Sequence, residues 1–196
     1  MKPFIFAIIG LASTVAFTCP AGAQFGGGGY NGVQFVEAVR KSDGDKATQL
    51  LESNAPGLVN ARGEDGDTAL IIAIARRDDQ WTGFLLNKGA DPNLAGKGGD
   101  TPLITAARAG FGDAVDWLLS MGAKVDAPNK MGETPLIAAV QTRQTQIVRT
   151  LLSVGADPDK TDTAAGYSAR DYAQRDGRAR EILQLIQAKK PKPVAK

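Results

Sequence analysis

Gly99-Asp100-Thr101-Pro102-Leu103-Ile104-Thr105-Ala106-Ala107 stands near the middle of the chain, and its opening occurs twice more in altered form. Gly66-Asp67-Thr68-Ala69-Leu70-Ile71 precedes it and Gly132-Glu133-Thr134-Pro135-Leu136-Ile137 follows it, each displaced by 33 residues. Leu85-Leu86, Leu118-Leu119 and Leu151-Leu152 keep the same interval, as do Gly89-Ala90, Gly122-Ala123 and Gly155-Ala156. Independent markers that hold one period define a repeat, and a period of this size means stacked units that share one continuous core.

Each marker has a local physical role. Thr68, Thr101 and Thr134 suit helix N-caps, where the hydroxyl accepts from an amide that has no partner in the helix. Pro102 and Pro135 suit the first helical position, where no hydrogen bond is lost. Ala106-Ala107 and Ala138-Ala139 are small enough for neighbouring helices to stack closely. Gly89, Gly122 and Gly155 suit the left-handed residue that ends a helix, and Asn54 takes that position in the first unit. The apolar pairs, with Trp81, Phe84, Trp117 and Val148, are expected to face adjoining units and form the core.

The pattern resembles the ankyrin repeat over residues 32–187. The resemblance implies an all-α solenoid of stacked helix-turn-helix units joined by short hairpin-like finger loops. Full repeats read as 63–95, 96–128 and 129–161, with a degenerate first repeat at 32–62 and a C-terminal cap at 162–187. The family's histidine is Ile71, Ile104 and Ile137 here, so packing is expected to replace its hydrogen bonding. The turn between the paired helices has Gly110 in the middle repeat but Arg77 and Arg143 in its neighbours. A left-handed arginine costs roughly 1 kcal/mol relative to glycine, so those two turns are expected to be looser.

The flanks read differently. Lys2, an apolar run from Phe4 to Phe17, and Ala21-Gly22-Ala23 before Gln24 have the form of a secretory signal peptide cleaved between Ala23 and Gln24. The run is shorter than the roughly 20 residues that span a bilayer, which disfavours a retained anchor. Phe17 disfavours a lipoprotein signal ending at Cys19. Residues 1–23 are therefore read as the signal, 24–31 as a flexible Gly-rich leader, and 188–196 as a basic Pro/Lys tail. An exported protein follows, periplasmic in a bacterium or else secreted. The tail offers the one route to anionic lipid or wall polymer, and with it an alternative role as a tethered surface or stress component.

Composition excludes much chemistry. The chain has no histidine, so the usual acid–base group near neutrality is missing. Cys19 is its one cysteine, which leaves no ordinary zinc or haem ligand set. No metal and no cofactor is expected. Asp65, Asp67, Asp100, Asp126 and Glu133 are expected on separate loops roughly 10 Å apart, too far for an acid–base pair. Asp43-Gly44-Asp45 lacks the remaining ligands of a calcium loop. No catalytic residue and no enzyme activity is assigned. The net charge is +2, and without Lys189, Lys190, Lys192 and Lys196 there remain 19 basic against 21 acidic residues. That balance argues against a basic footprint and a nucleic-acid partner.

What remains is binding of a protein, by a monomer acting as a scaffold or inhibitor. Repeat arrays bind along an extended concave surface, and the resemblance implies finger loops and the exposed side of each first helix. Those positions are Glu64, Asp65, Asp67 and Arg76, then Lys97, Asp100 and Arg108. They continue with Lys130, Met131, Glu133, Gln141 and Thr142 and end at Tyr167. Met131 and Tyr167 are expected to be its exposed apolar anchors, because such groups dominate interfaces.

Overall fold

The computed structural model describes residues 27–52 and 57–188. The signal cleavage position at Ala23 and Gln24, Asn54 and the basic tail from Lys189 lie outside them. Among the described residues ten α-helices follow in pairs: α1 (Gly27–Arg40) with α2 (Gly44–Glu52), α3 (Ala69–Ala75) with α4 (Asp79–Asn87), and α5 (Pro102–Ala109) with α6 (Gly112–Ser120). The array ends with α7 (Pro135–Gln141) and α8 (Thr145–Ser153), then α9 (Ala169–Arg175) and α10 (Arg180–Ala188). The odd-numbered inner helices stack on one another and the even-numbered outer helices form a second row. This is the all-α repeat solenoid that the resemblance implies. Helix α1 begins at Gly27, so most of the segment read as a leader belongs to the first repeat.

The caps form as their residue types dictate. Thr68, Thr101 and Thr134 accept from the amides of Ile71, Ile104 and Ile137 at 3.3, 3.2 and 3.3 Å. At the cap of α9, Ser168 and Asp171 exchange hydrogen bonds in a reciprocal capping box. Gly89, Gly122 and Gly155 take positive φ just after α4, α6 and α8. Ile71, Ile104 and Ile137 are buried among their neighbours, as packing in place of hydrogen bonding requires.

Two expectations about packing need correction. Arg77 and Arg143 do adopt left-handed φ, both at 56°, but their turns are not looser than the one at Gly110. The same pair of hydrogen bonds closes each turn: Arg77 N to Ile74 O and Asp78 N to Ala73 O at 2.9 and 3.0 Å, and Arg143 N to Val140 O and Gln144 N to Ala139 O at 3.0 and 2.8 Å. Stacking of the flanking helices imposes the turn, and the arginine bears the strain. Nor is Trp117 a core residue: it is 36% exposed on the outer row, alongside exposed Met121 and Val154. Trp81 and Phe84 are half-buried there and meet edge to face.

The fingers follow from the same repetition. Gly63, Gly96 and Asn129 each donate their amide to a carbonyl four residues on, that of Asp67, Asp100 and Glu133. The cap finger is wider, because Asp162 N donates to Tyr167 O. Each finger then bonds to the next. Lys97 N donates to Asp67 Oδ1 at 2.8 Å, Lys130 N to Gly98 O at 3.1 Å, and Thr163 N to Met131 O at 2.8 Å. The loops are thereby locked in register and present their tips as one row.

Candidate protein-binding face

The finger row and the inner helices bring most of the expected residues onto one side, but they do not leave them all free. Asp65 accepts from Arg40 at 2.6 Å, which ties the first finger to α1. Asp67 is committed to the amide of Lys97. Arg76 donates to the carbonyls of Val39 and Arg40, each at 3.1 Å, and to the Ser42 hydroxyl, which closes the end of α1. Thr142 donates to Ala138 O at 2.8 Å within its own helix end. Asp65, Asp67 and Arg76 therefore hold the array together before they can touch anything else.

The middle of the face corrects the expectation that its carboxylates stand apart. Arg108 donates to Asp100 and to Glu133, both at 2.6 Å, and Asn129 Nδ2 donates to the same two carboxylates at 2.7 and 2.9 Å. Asn129 Oδ1 in turn accepts from the amides of Met131 and Glu133 at 2.9 and 3.0 Å. Glu133 is only 7% exposed. Burial opposes ionisation of Asp100, but the hydrogen bonds from Arg108 and Asn129 and the charge of Arg108 outweigh it and hold its carboxyl below the ordinary value. A carboxylate pinned in this way is a brace for the third finger rather than a proton donor.

Met131 projects from that braced finger and is 56% exposed. Lys97 and Lys130 are exposed beside it at equivalent tips, and Glu64 is exposed on the first finger. Tyr167 is not an exposed anchor. It is half-buried, edge to face with Tyr172 at 5.6 Å, and the Arg175 guanidinium lies 3.8 Å from its ring centroid. Tyr172 donates to Asp162 Oδ2 at 2.6 Å, and Asp162 Oδ1 accepts from the amides of Ala165 and Gly166. Gln141, exposed on α7, lines a notch of about 360 Å³ with Val140, Tyr172, Arg175 and Asp176. Among the described residues no three potential ligands gather to hold a metal ion, and no helix is long and apolar enough to cross a membrane.

Sequence reasoning missed Arg40, Asn129 and Arg175, which position much of this face. Arg40 and Arg175 take the repeat position of Arg108. Arg40 and Arg108 stand two residues before the left-handed Ser42 and Gly110, and Arg108 and Arg175 stand seven residues after the caps Thr101 and Ser168, so the recurrence was legible once the units were aligned. Asn129 was legible in principle, since it takes the position of Gly63 and Gly96, where a side chain that can bond its own loop is a meaningful change.

A family model described as ankyrin repeats (3 copies) matches residues 35–129 and 83–162. The chain belongs to the ankyrin-repeat family. Ankyrin repeats generally mediate protein–protein interaction, and the family is typically a non-catalytic scaffold. No curated protein matches this ankyrin-repeat chain.

Proposed function

We propose that this ankyrin-repeat protein is an exported, non-catalytic scaffold or inhibitor that binds a protein partner through its finger loops and inner helices. One observation supports this reading most: Met131 is exposed on a finger whose backbone is bonded to the fingers on both sides. An apolar side chain offered on a rigid mount loses little freedom on binding, which favours affinity. Removal of the signal between Ala23 and Gln24 would leave Gln24-Phe25-Gly26 ahead of α1. The mature protein is expected to work outside the cytoplasm, in the periplasm of a bacterium or as a secreted protein.

Site-specific photo-cross-linking in the source cells tests both parts. A photoreactive amino acid at Met131 should trap a partner band, and one at Gln146 on α8 should not. Trapping from position 146 alone would place the partner on the outer row and defeat the assignment. N-terminal sequencing of the cross-linked material should start at Gln24; a retained Met1 would contradict cleavage.

A further inference from the structure

The folded body is slightly acidic, yet its acids are unevenly spent. On the finger and inner-helix side, Arg40 takes Asp65, Arg108 takes Asp100 and Glu133, and Arg143 takes Asp176 at 2.7 Å. Asp67 and Asp162 are absorbed by backbone amides and by Tyr172. The cations are not all matched in return. Among the described residues, neither the Lys97 nor the Lys130 ammonium reaches a carboxylate, although both are exposed at adjacent tips. Arg175 makes no ion pair either; the Tyr167 ring holds its guanidinium beside the notch lined by Gln141 and Tyr172. A guanidinium fixed by stacking keeps its fork of donors available for a carboxylate. Among the described residues Glu64, on the first finger, is the unpaired acid of this face, and Asp79, Asp113 and Asp116 are exposed on the outer helices.

We infer that the partner is an acidic polypeptide segment whose side-chain carboxylates seat on Lys97, Lys130 and Arg175 around an apolar contact at Met131. This rests on the finger-face reading above and adds the partner's chemistry to it. Net charge argued against a basic footprint, and hydrogen bonding leaves Asp67 and Asp162 charged, but among the described residues Lys97, Lys130 and Arg175 keep donors that no carboxylate of the fold occupies. Charges of that kind set the choice of partner and the rate of encounter more than raw affinity.

Fluorescence anisotropy of the full chain tests the proposal with labelled synthetic peptides of equal length and leucine content. Their remaining positions are glutamate, glutamine or lysine. The glutamate peptide should bind about tenfold tighter than the glutamine one, since each exposed pair contributes about twofold to threefold. That preference should shrink as salt is raised. Lys97→Glu, Lys130→Glu and Arg175→Glu together should reverse it toward the lysine peptide, with the helical melt little changed. A glutamate peptide that fails to bind, or binds no better than the glutamine one, overturns the proposal. So do charge reversals without effect. If Met131→Ala then weakens all three peptides alike, the finger face still binds and only the acidic partner is wrong. If Gln146→Ala with Arg149→Ala alone abolishes binding, the finger-face reading itself fails.

Discussion

Thr82 carries a hydroxyl that is fully buried and has no hydrogen-bond partner among the described residues, in a position where the next two repeats have Val115 and Val148. A buried polar group without a partner costs about 1–3 kcal/mol. Thr82→Val keeps the shape and removes the hydroxyl, so it should stabilise the array by about 1 kcal/mol, read as a higher urea midpoint with an unchanged slope. A lower midpoint would mean that the hydroxyl is satisfied. Arg77 offers a second gain: its φ of 56° suits glycine, and its exposed side chain makes no ion pair among the described residues. Arg77→Gly should stabilise by about 1 kcal/mol, and a loss in the same titration would contradict the strain. Both sites stand out only when equivalent positions are set side by side. The threonine caps and left-handed glycines were legible from sequence because each acts within a turn or two of its own chain. Another periodic device was equally available and was passed over. Asn60 and Asn93 each accept from an amide and donate to a glycine carbonyl in the following repeat, while Asp126 can only accept.

At the scale of elements, the fingers and the cap depend on carboxylates held ionised. Burial pushes the Asp162 carboxyl up, but hydrogen bonds from Tyr172 and from the amides of Ala165, Gly166 and Tyr167 outweigh it and leave it below its ordinary value of 3.8. A group whose folded value is depressed contributes stability above its unfolded value and loses it as pH falls through the folded one. Asp100 and Asp171 are lowered in the same sense. The cap and the middle fingers should therefore weaken from about pH 4 downward. Asp162→Asn keeps an oxygen for the loop amides and removes the charge. Its melting temperature should fall less between pH 7 and pH 3 than that of the parent; an equal fall would show that Asp162 is not a main contributor. The outer row shows where element-level reading fails. Trp117 is as apolar as a core residue, but the buried stripe of α6 runs through Ala114, Val115 and Leu118 and leaves the indole at its edge. Residue type alone placed it in the core, and helix phase would have placed it outside. The acids just ahead of α2 and α4 also have an ordinary explanation. Asp43 and Asp78 accept from the amides of Lys46 and Trp81 and so cap those helices.

For the whole molecule, stability should come from interfaces between neighbours rather than from any single unit. Helices α5 and α7 and helices α3 and α5 are stacked partners, and Leu103, Ile104, Ala106 and Ala107 are buried between them. One helix pair cannot bury such a face alone. Residues 96–128 as an isolated peptide should thus show far-UV circular dichroism of a mostly disordered chain, and a cooperative helical melt would refute this. Period and caps made that architecture readable from sequence. The binding face was readable only in outline, because which charges stay free depends on pairings across repeats. Tyr167 was misjudged for that reason: it looked like an exposed loop aromatic and instead supports Arg175. Met131 is exposed on the finger row, and partner binding is proposed to run through it. Isothermal titration of the partner trapped at position 131 measures this most directly, with Met131→Ala compared against Gln146→Ala combined with Arg149→Ala. Met131→Ala should weaken binding by about 1–2 kcal/mol, and the outer-row pair should leave affinity unchanged. Unchanged affinity for Met131→Ala together with loss of binding in the outer-row pair would contradict this proposal.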